Sequence, residues 1–316
     1  MIPLDEIERA SERIADTVVR SPLVRLQVDS PSEIWLKLES LQPIGSFKLR
    51  GAGNAMLAAE PDTLEQGVVT TSAGNMAQGV AWMARELGVP ATAIVPDHAP
   101  ETKVAAIERL GSRVVRVPWD EWWATMEAGR VEGVDALFVH PVRDVLVMAG
   151  NGTIGLELVE QLSDIDAVLI PWGGGGLTTG IASALAARSP ETKVYVCEPE
   201  TGAPVTAALA NGGEPAPIEY RASFVDGSGS GALLPEMWER ARPLVTGSFA
   251  LTLEETAAAV RLLLERARVV AEGAAALTVA AALSGRVDAK RIVCIVSGGN
   301  IDGSRLQEIL AGRVPD

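Results

Sequence analysis

The sequence predicts an α/β fold with parallel-rich sheets covered by helices, built as one large domain or as two domains that share a cleft. Short apolar, β-branched runs alternate with longer segments of helical periodicity, a pattern typical of parallel strands joined by crossover helices. The 316 residues also exceed the roughly 100–200 residues of a usual single domain. The strand-like runs are, in chain order, "EIWLKLE", "GVVTT", "TAIVP", "RVVRVP", "ALFVH", "AVLIP", "KVYVCE" and "RIVCIVS".

Composition and charge narrow the class of partner. A net charge of −14 offers no basic face for phosphate backbones, and we find no basic amphipathic helix, so we expect neither nucleic acid nor a membrane as a partner. The longest apolar run, "AAALTVAAAL", has ten residues, whereas a membrane-spanning helix needs ~20. The N-terminus mixes charges and lacks the features of a signal peptide. We therefore expect a cytoplasmic protein.

Four consecutive glycines, Gly173 to Gly176, form the strongest local motif. They follow the strand-like "AVLI" and precede the helix-like "LTTGIASALAAR", so their backbone N–H groups could surround an anion at a helix N-terminus. The spacing matches neither the dinucleotide fingerprint nor the ATP-binding loop, which disfavours nucleoside triphosphates. The alternative is a turn that needs glycine only for tight packing.

Two other loops follow strand-like runs and are rich in small polar residues. Ser72, Ala73, Gly74 and Asn75 open a helix-like segment, where they could bind a carboxylate or only cap the helix. The run "SGGN", which begins at Ser297, could be a simple strand-to-helix turn. Because ligands of open α/β sheets bind beyond the carboxyl ends of strands, all of these loops are candidates for one site.

A lysine stands in an unusual setting at the start of an Ala/Gly-rich helical segment. Lys48 lies between Phe47 and Leu49, directly after a turn signal, so we expect it to be partly buried. A lysine among apolar groups has a depressed pKa, which suits covalent or acid–base chemistry.

Six ordered motifs resemble the threonine/serine dehydratases, pyridoxal phosphate (PLP) enzymes of fold type II, the tryptophan synthase β-like fold. The resemblance runs from about Thr17 to the C-terminus, and its relatives include serine racemase. The motifs are "GSFKLRGA", "SAGNMAQG", "HPVRDVLVMAGNGTIGLEL", "PWGGGGLTTGIA", "VAEGAAAL" and "SGGN".

The resemblance implies a role for each matching cofactor residue. Lys48 would attach PLP covalently and later carry the proton, and Phe47 would pack beside the ring. Asn75 would bind the ring hydroxyl, Ser297 would face the pyridine nitrogen, and Glu272 would lie near the ring. The cofactor phosphate would be held by Gly173, Gly174, Gly175, Gly176 and Leu177.

The implied reaction is dehydration of a β-hydroxy L-amino acid to a 2-oxo acid and ammonia through an aminoacrylate. The resemblance leaves open another β-elimination or β-replacement, a serine-racemase-like activity, or a weakly active PLP-binding protein. Ala73 stands where racemising relatives carry a second acid–base serine, which favours dehydration. The expected substrate-binding residues are Ser72, Ala73, Gly74, Asn75, Met76, Asp226, Gly227 and Ser230.

Some positions depart from the family pattern. Met76 replaces a histidine of many relatives and Ile44 replaces a threonine, and both changes remove polarity near the expected site. Three tryptophans in "PWDEWWATM" have two interpretations: packing in the core or a subunit contact, or a pocket for a bulkier or more apolar substrate side chain. These residues are Trp119, Trp122 and Trp123.

The resemblance also predicts the domain division, the metal content and the assembly. A small domain, residues 65–143, would close on a large PLP-binding domain made of residues 1–64 and 144–316. Glu198 fits the first ligand of a Mg²⁺ or Ca²⁺ site found in some relatives, but Pro204 stands near where a further carboxylate would be expected. Glu198 is therefore a candidate metal ligand, but we do not predict a bound divalent cation. A homodimer or a higher homo-oligomer is expected.

Overall fold

A computed structural model describes residues 1–316 and contains two sheets. The six-stranded large sheet has the order β1-β2-β10-β7-β8-β9, and only the β1–β2 pair is antiparallel. The small sheet is parallel throughout, in the order β5-β4-β3-β6. The strands are β1 (Leu23–Arg25), β2 (Glu33–Leu38), β3 (Val68–Thr71), β4 (Ala91–Pro96), β5 (Arg113–Val117), β6 (Leu137–Phe138), β7 (Ala167–Pro171), β8 (Lys193–Pro199), β9 (Gly247–Leu251) and β10 (Arg291–Val296).

Thirteen α-helices cover the sheets and connect most of the strands. The large sheet carries α7 and α8 on one face and α11 and α12 on the other, each packed through apolar side chains. The helices are α1 (Leu4–Arg13), α2 (Lys48–Leu57), α3 (Pro61–Glu65), α4 (Asn75–Leu87), α5 (Glu101–Arg109), α6 (Trp119–Ala128), α7 (Val145–Gln161), α8 (Gly176–Arg188), α9 (Pro204–Ala210), α10 (Pro235–Ala241), α11 (Leu253–Leu262), α12 (Gly273–Leu283) and α13 (Gly303–Leu310). Short 3₁₀ turns lie at Glu39–Leu41 and Arg242–Leu244, and a π-helical turn at Leu263–Ala267.

The alternation in the sequence located the central strands correctly. All eight strand-like runs coincide with strands, while β1 and β9 were missed. Both missed strands lie at edges of the large sheet, where burial is incomplete and the apolar signal is weak. The α/β prediction with parallel-rich, helix-covered sheets is confirmed.

Helix α2, which begins at Lys48, is held in place by close packing and by buried charges. A Cβ on Gly150 of α7 would lie 2.3 Å from the Arg50 carbonyl oxygen, so only glycine allows this approach. The Arg50 guanidinium is buried and forms a two-point contact with Glu39, with both N–O distances 2.8 Å, and a 2.7 Å contact with Glu157. Lys37 also pairs with Glu157. This ion network fixes the base of the helix that presents Lys48.

The carboxyl ends of three parallel strands converge on one cleft. Strand β3 leads into the loop at Ser72, β7 leads into the glycine loop at Gly173, and β10 leads into Ser297. The small sheet and the large sheet therefore both contribute to the cleft, as the strand-end rule for α/β sheets predicts. The exact division at residues 65 and 143 stays a prediction. None of the helices is long and apolar enough to cross a membrane.

Candidate active site

The cleft contains a cavity of about 490 Å³ that brings together most of the predicted site residues. Such a volume lies within the ~300–1,000 Å³ typical of small-molecule sites. The predicted residues that line it are Phe47, Lys48, Ser72, Ala73, Gly74, Asn75, Met76, Gly173, Gly174, Gly175, Gly176, Leu177, Asp226, Gly227, Glu272 and Ser297.

Lys48 is half-buried, as its apolar neighbours predicted. Its Nζ donates a hydrogen bond to the Pro141 carbonyl oxygen at 2.9 Å and lies 5.2 Å from the centre of the Phe47 ring. Burial lowers the pKa of Lys48 to about 8, and the opposing attraction of Glu272 restores only part of the shift. The backbone N–H of Phe47 donates to the Ser297 carbonyl oxygen at 2.9 Å, which ties the lysine helix to the end of β10.

His140 supports the carbonyl group that Lys48 contacts. Its Nδ1 accepts from the backbone N–H groups of Val142, at 3.0 Å, and Arg143, at 2.9 Å, while its Nε2 donates to the Met126 carbonyl oxygen. Burial lowers the pKa of His140 to about 4, so the ring is neutral at pH 7 and can act as this acceptor. The histidine holds the turn that contains Pro141.

The four glycines lead into helix α8, and side chains pack closely against two of them. A Cβ on Gly174 would lie 2.5 Å from Val142, and one on Gly175, whose φ is +91°, would lie 2.6 Å from the buried Trp172 ring. The first N–H groups of an α-helix have no partner within the helix, and these point from a glycine loop that lines the cavity. The loop therefore presents backbone donors without side-chain obstruction, as a phosphate group requires.

Glu272 is buried beside the cavity and is oriented by two asparagines. The Asn75 amide nitrogen donates to both carboxyl oxygens of Glu272, at 3.0 and 3.1 Å, and its amide oxygen accepts from Asn300 at 2.7 Å. Burial raises the pKa of Glu272 to about 7, although the Asn75 hydrogen bond opposes this shift. Sequence analysis did not assign Asn300 to the site, although this residue belongs to the "SGGN" motif.

The loop at residues 72–76 has the form of an anion site more than that of a side-chain cap. Gly74 precedes α4 without a side-chain cap, so neither Ser72 nor Asn75 caps this helix. The Ser72 hydroxyl instead accepts from the Gly74 N–H at 3.2 Å, within the loop. Met76 touches the cavity but is 1% exposed and packs in the same apolar cluster as Ile44. The two departures from the family pattern thus extend the core beneath the site.

Two predicted residues lie outside the Lys48 cavity. Ser230 lines a neighbouring cavity of about 320 Å³, where its hydroxyl donates to the Ala232 carbonyl oxygen. Both oxygens of the buried Glu198 carboxyl accept hydrogen bonds from α9, one from the Val205 N–H and the other from the N–H and hydroxyl of Thr206, each at 2.9 Å. Burial raises the pKa of Glu198 to about 7 despite these donors. No cluster of three or more metal-ligating side chains surrounds Glu198 or any other position.

The side of the cavity nearest the small sheet contains two of the three tryptophans considered as a substrate pocket, together with Met126 and Lys103, which sequence analysis did not assign to the site. Helix α6 contributes Trp119, Trp122 and Met126, while α5 contributes Lys103, which pairs with Asp226 across the cleft. No residue of α6 is buried. The tryptophans therefore do not lie in the core of the single chain, and their role as a subunit contact stays a prediction.

The donor set fits PLP in three respects. A lysine with a lowered pKa, a glycine loop with free N–H groups and a seryl side chain at the end of β10 face one cavity. Together with the parallel α/β architecture, this arrangement defines a class: an α/β enzyme that holds a phosphorylated, lysine-reactive cofactor between two sheets. The family model described as "Pyridoxal-phosphate dependent enzyme" matches residues 14–298, and the chain belongs to this family.

Individual relatives agree with this assignment. The L-threonine ammonia-lyase of Thermotoga maritima is 39% identical over 317 aligned residues, covering 98% of this chain and 78% of that protein. The threonine deaminase of T.th. superposes with a TM-score of 0.87 at 35% identity, covering 95% of this chain and 98% of that one. Maize serine racemase superposes with a TM-score of 0.89 at 29% identity, covering 98% and 97%. The predicted resemblance to the dehydratase family and its fold type II architecture is confirmed.

Proposed function

We propose that this protein catalyses the PLP-dependent dehydration of a β-hydroxy L-amino acid of the threonine/serine type, with release of a 2-oxo acid and ammonia. The observation that carries the proposal is the half-buried Lys48, with a pKa near 8, in one cavity with the four-glycine loop and Ser297. The named activity of the threonine ammonia-lyase and threonine deaminase relatives supports the same reaction. PLP, when bound, would supply the electron sink that stabilises negative charge at the substrate Cα.

Lys48 has the properties needed to exchange protons with substrate. Its amine is neutral in an appreciable fraction at pH 7–8 because burial lowers its pKa to about 8, so it can accept the Cα proton. The Pro141 carbonyl, which accepts from Nζ at 2.9 Å, would hold the released amine in the cavity. General acid–base catalysis by one placed group contributes roughly 10²–10⁴-fold.

Two helix N-termini would bind the two anionic groups. The loop from Gly173 to Gly176 would hold the cofactor phosphate, and the loop at Ser72 to Asn75 would hold the substrate carboxylate. Each loop is followed by a helix of 13 residues, whose dipole favours negative charge at that end. Because the loops belong to different sheets, the two anions would bind on opposite sides of the cleft.

Ser297 and Glu272 would adjust the electronic state of the cofactor. A hydroxyl partner such as Ser297 leaves the pyridine nitrogen largely unprotonated, which favours loss of a β-substituent over transamination. Asn75, held by Asn300, would direct its amide toward the ring hydroxyl beside Glu272. Ala73 provides no hydroxyl on the opposite face, which argues against efficient racemisation despite the similarity to maize serine racemase.

The test is a steady-state assay of the PLP-loaded protein with L-threonine and L-serine. We expect ammonia and the 2-oxo acid to form in equal amounts and well beyond one equivalent per chain. Ammonia release limited to one equivalent would contradict catalysis and leave a PLP-binding protein. A new amino acid formed on addition of a thiol, in place of the 2-oxo acid, would show β-replacement, and D-serine from L-serine would show racemisation.

The proposal includes the expected organisation of the protein. Residues 65–143 would form the small domain that closes over residues 1–64 and 144–316, with the Lys103–Asp226 pair at the mouth. A homo-oligomer in the cytoplasm is part of the same proposal. Size-exclusion chromatography with light scattering measures the copy number directly.

A further inference from the structure

Helix α6 places an aromatic surface inside the cleft, within reach of the position expected for the substrate side chain. Trp119, Trp122 and Met126 have the i, i+3 and i+7 spacing that aligns side chains on one face of a helix, and all three line the Lys48 cavity. The Trp119 and Trp122 rings stack with centroids 5.0 Å apart and an interplanar angle of 27°. Trp119 remains 48% exposed at the mouth.

Three hydrogen bonds connect this surface, through strands β3 and β4, to the loop proposed to bind the substrate carboxylate. The Trp122 indole N–H donates to the Ile94 carbonyl oxygen at 3.1 Å, and the backbone N–H of Ser72 donates to the same oxygen, also at 3.1 Å. The Thr71 hydroxyl donates to the Met126 sulfur at 3.4 Å. The aromatic surface therefore adjoins the first residue of the carboxylate loop and has a set position relative to it.

Most polar groups at this surface are already paired, and the exposed Trp119 N–H is the exception. The Trp122 N–H is used by Ile94, the Thr71 hydroxyl by Met126, and the charges of Lys103 and Asp226 at the mouth by each other. A polar substrate side chain placed here would lose water and gain few partners, which is unfavourable. A flat apolar group would instead cover the exposed indole face and stack on it.

Given the proposed function, we infer that the preferred substrates are β-aryl-β-hydroxy amino acids, the class of β-phenylserine, with the aryl ring on Trp119 and Trp122. The overall reaction balances without an oxidant. The Cα–H and Cβ–O bonds break, Lys48 receives the Cα proton, and the hydroxyl takes up a proton and leaves as water. The released enamine then takes up one water to give the aryl 2-oxo acid and ammonia.

The test compares kcat/KM for threo-β-phenylserine and L-threonine in the PLP-loaded protein and three variants. We expect the wild-type ratio to favour phenylserine by about tenfold, and Trp119→Ala and Trp122→Ala to lower the ratio by about tenfold. Trp123→Ala is the matched control, because Trp123 lies on the same helix and stacks on Trp119 at 6.2 Å but lines only the neighbouring cavity. In this control the phenylserine-to-threonine ratio of kcat/KM should stay within about twofold of the wild-type value.

A binding measurement separates recognition from turnover. L-Phenylalanine carries the aryl group but no β-leaving group, so calorimetric titration of the PLP-loaded protein should give a Kd about tenfold below that for L-alanine. Trp119→Ala should remove this difference. Circular dichroism checks that each variant is folded, which we expect because no residue of α6 is buried.

The outcomes distinguish the two proposals. A wild-type ratio of one or less, or a ratio that falls no further in Trp119→Ala than in Trp123→Ala, overturns the inference. If threonine is turned over and phenylserine is not, the inference fails while the proposed dehydratase function stands. If neither amino acid yields ammonia, the proposed function fails as well. Benzaldehyde and glycine as the products of phenylserine would also overturn the inference.

Discussion

The two walls of the cleft differ in burial and in how strongly they are held. The wall beside the large sheet carries Lys48 and the glycine loop, backed by the buried Trp172 and the ion network of Arg50. The opposite wall is α6, whose residues are all at least partly exposed and whose side chains contact the inner strands β3 and β4 of the small sheet. Under the proposed function, the contrast would place the bond-breaking chemistry on fixed positions and substrate selection on a surface that can vary with little cost to the fold.

The largest loss of stability should follow removal of the Arg50 charge, which lies beneath the wall that carries Lys48. Arg50→Leu leaves the Glu39 and Glu157 carboxylates without their main partner in the interior, so we expect the free energy of unfolding to fall by about 3–5 kcal/mol. Trp123→Ala on the exposed wall should cost less than about 1 kcal/mol. Urea denaturation of both variants measures the difference. Equal losses would remove the distinction between the walls.

A smaller effect should follow from filling the space behind the glycine loop. In Gly174→Ala the new Cβ would lie 2.5 Å from the Val142 side chain, so the glycine loop or Val142 must shift at a cost of about 1–3 kcal/mol. We expect PLP to bind about tenfold more weakly, with partial recovery in Gly174→Ala/Val142→Ala. Gly231→Ala is the matched control, because its nearest contacts would be an ordinary 3.5 Å. Unchanged PLP affinity in Gly174→Ala would contradict the phosphate assignment.

The pH dependence of cofactor capture should report the state of Lys48. Because the pKa is lowered to about 8, the reactive neutral amine should increase about tenfold per pH unit below pH 8 and reach a plateau above it. Glu272→Gln removes a carboxylate that raises the pKa of Lys48, so the plateau should begin at lower pH. Stopped-flow absorbance of the cofactor-free protein mixed with PLP measures these rates. A rise that continues toward pH 10 would contradict the buried setting of Lys48.

The smallest effect is expected for the ion pair at the mouth of the cleft. Lys103 and Asp226 are both partly exposed, so water and salt weaken their attraction. Lys103→Ala should change the free energy of unfolding by less than about 1 kcal/mol, measured by urea denaturation at low and at high salt. A loss of several kcal/mol would show that this pair, and not the buried wall alone, holds the two sheets together.

The sequence predicted the buried wall better than the exposed one. Lys48 and the glycines from Gly173 to Gly176 carry local signals, an isolated charge among apolar residues and an unbroken glycine run between a strand and a helix. The cavity brings these residues together because strands β2 and β7, which precede them in the chain, are both parallel to β10 and end at the same edge of the large sheet.

The exposed wall depends on contacts that no local pattern encodes. The Trp122 N–H meets a carbonyl 28 residues away, in β4, and the Thr71 hydroxyl meets the sulfur of Met126, 55 residues further along the chain. In the sequence the same tryptophans are also compatible with a packed core or a subunit contact, because helical periodicity does not say which element covers a face. Ser230 lies in an irregular stretch whose path is set by turns. The sequence therefore does not indicate which of the two cavities its side chain lines.

The most direct test of the account is the absorbance spectrum of the PLP-loaded protein and of Lys48→Ala, recorded after removal of free cofactor. The account predicts a visible band from lysine-linked PLP in the wild type, its loss in Lys48→Ala, and a fall in ammonia release from threonine of about 10²-fold or more. Lys193→Ala, an exposed lysine outside the cleft, should keep both the band and the activity. A wild-type protein without the band, or a Lys48→Ala variant that retains it together with full turnover, would contradict the central role of Lys48.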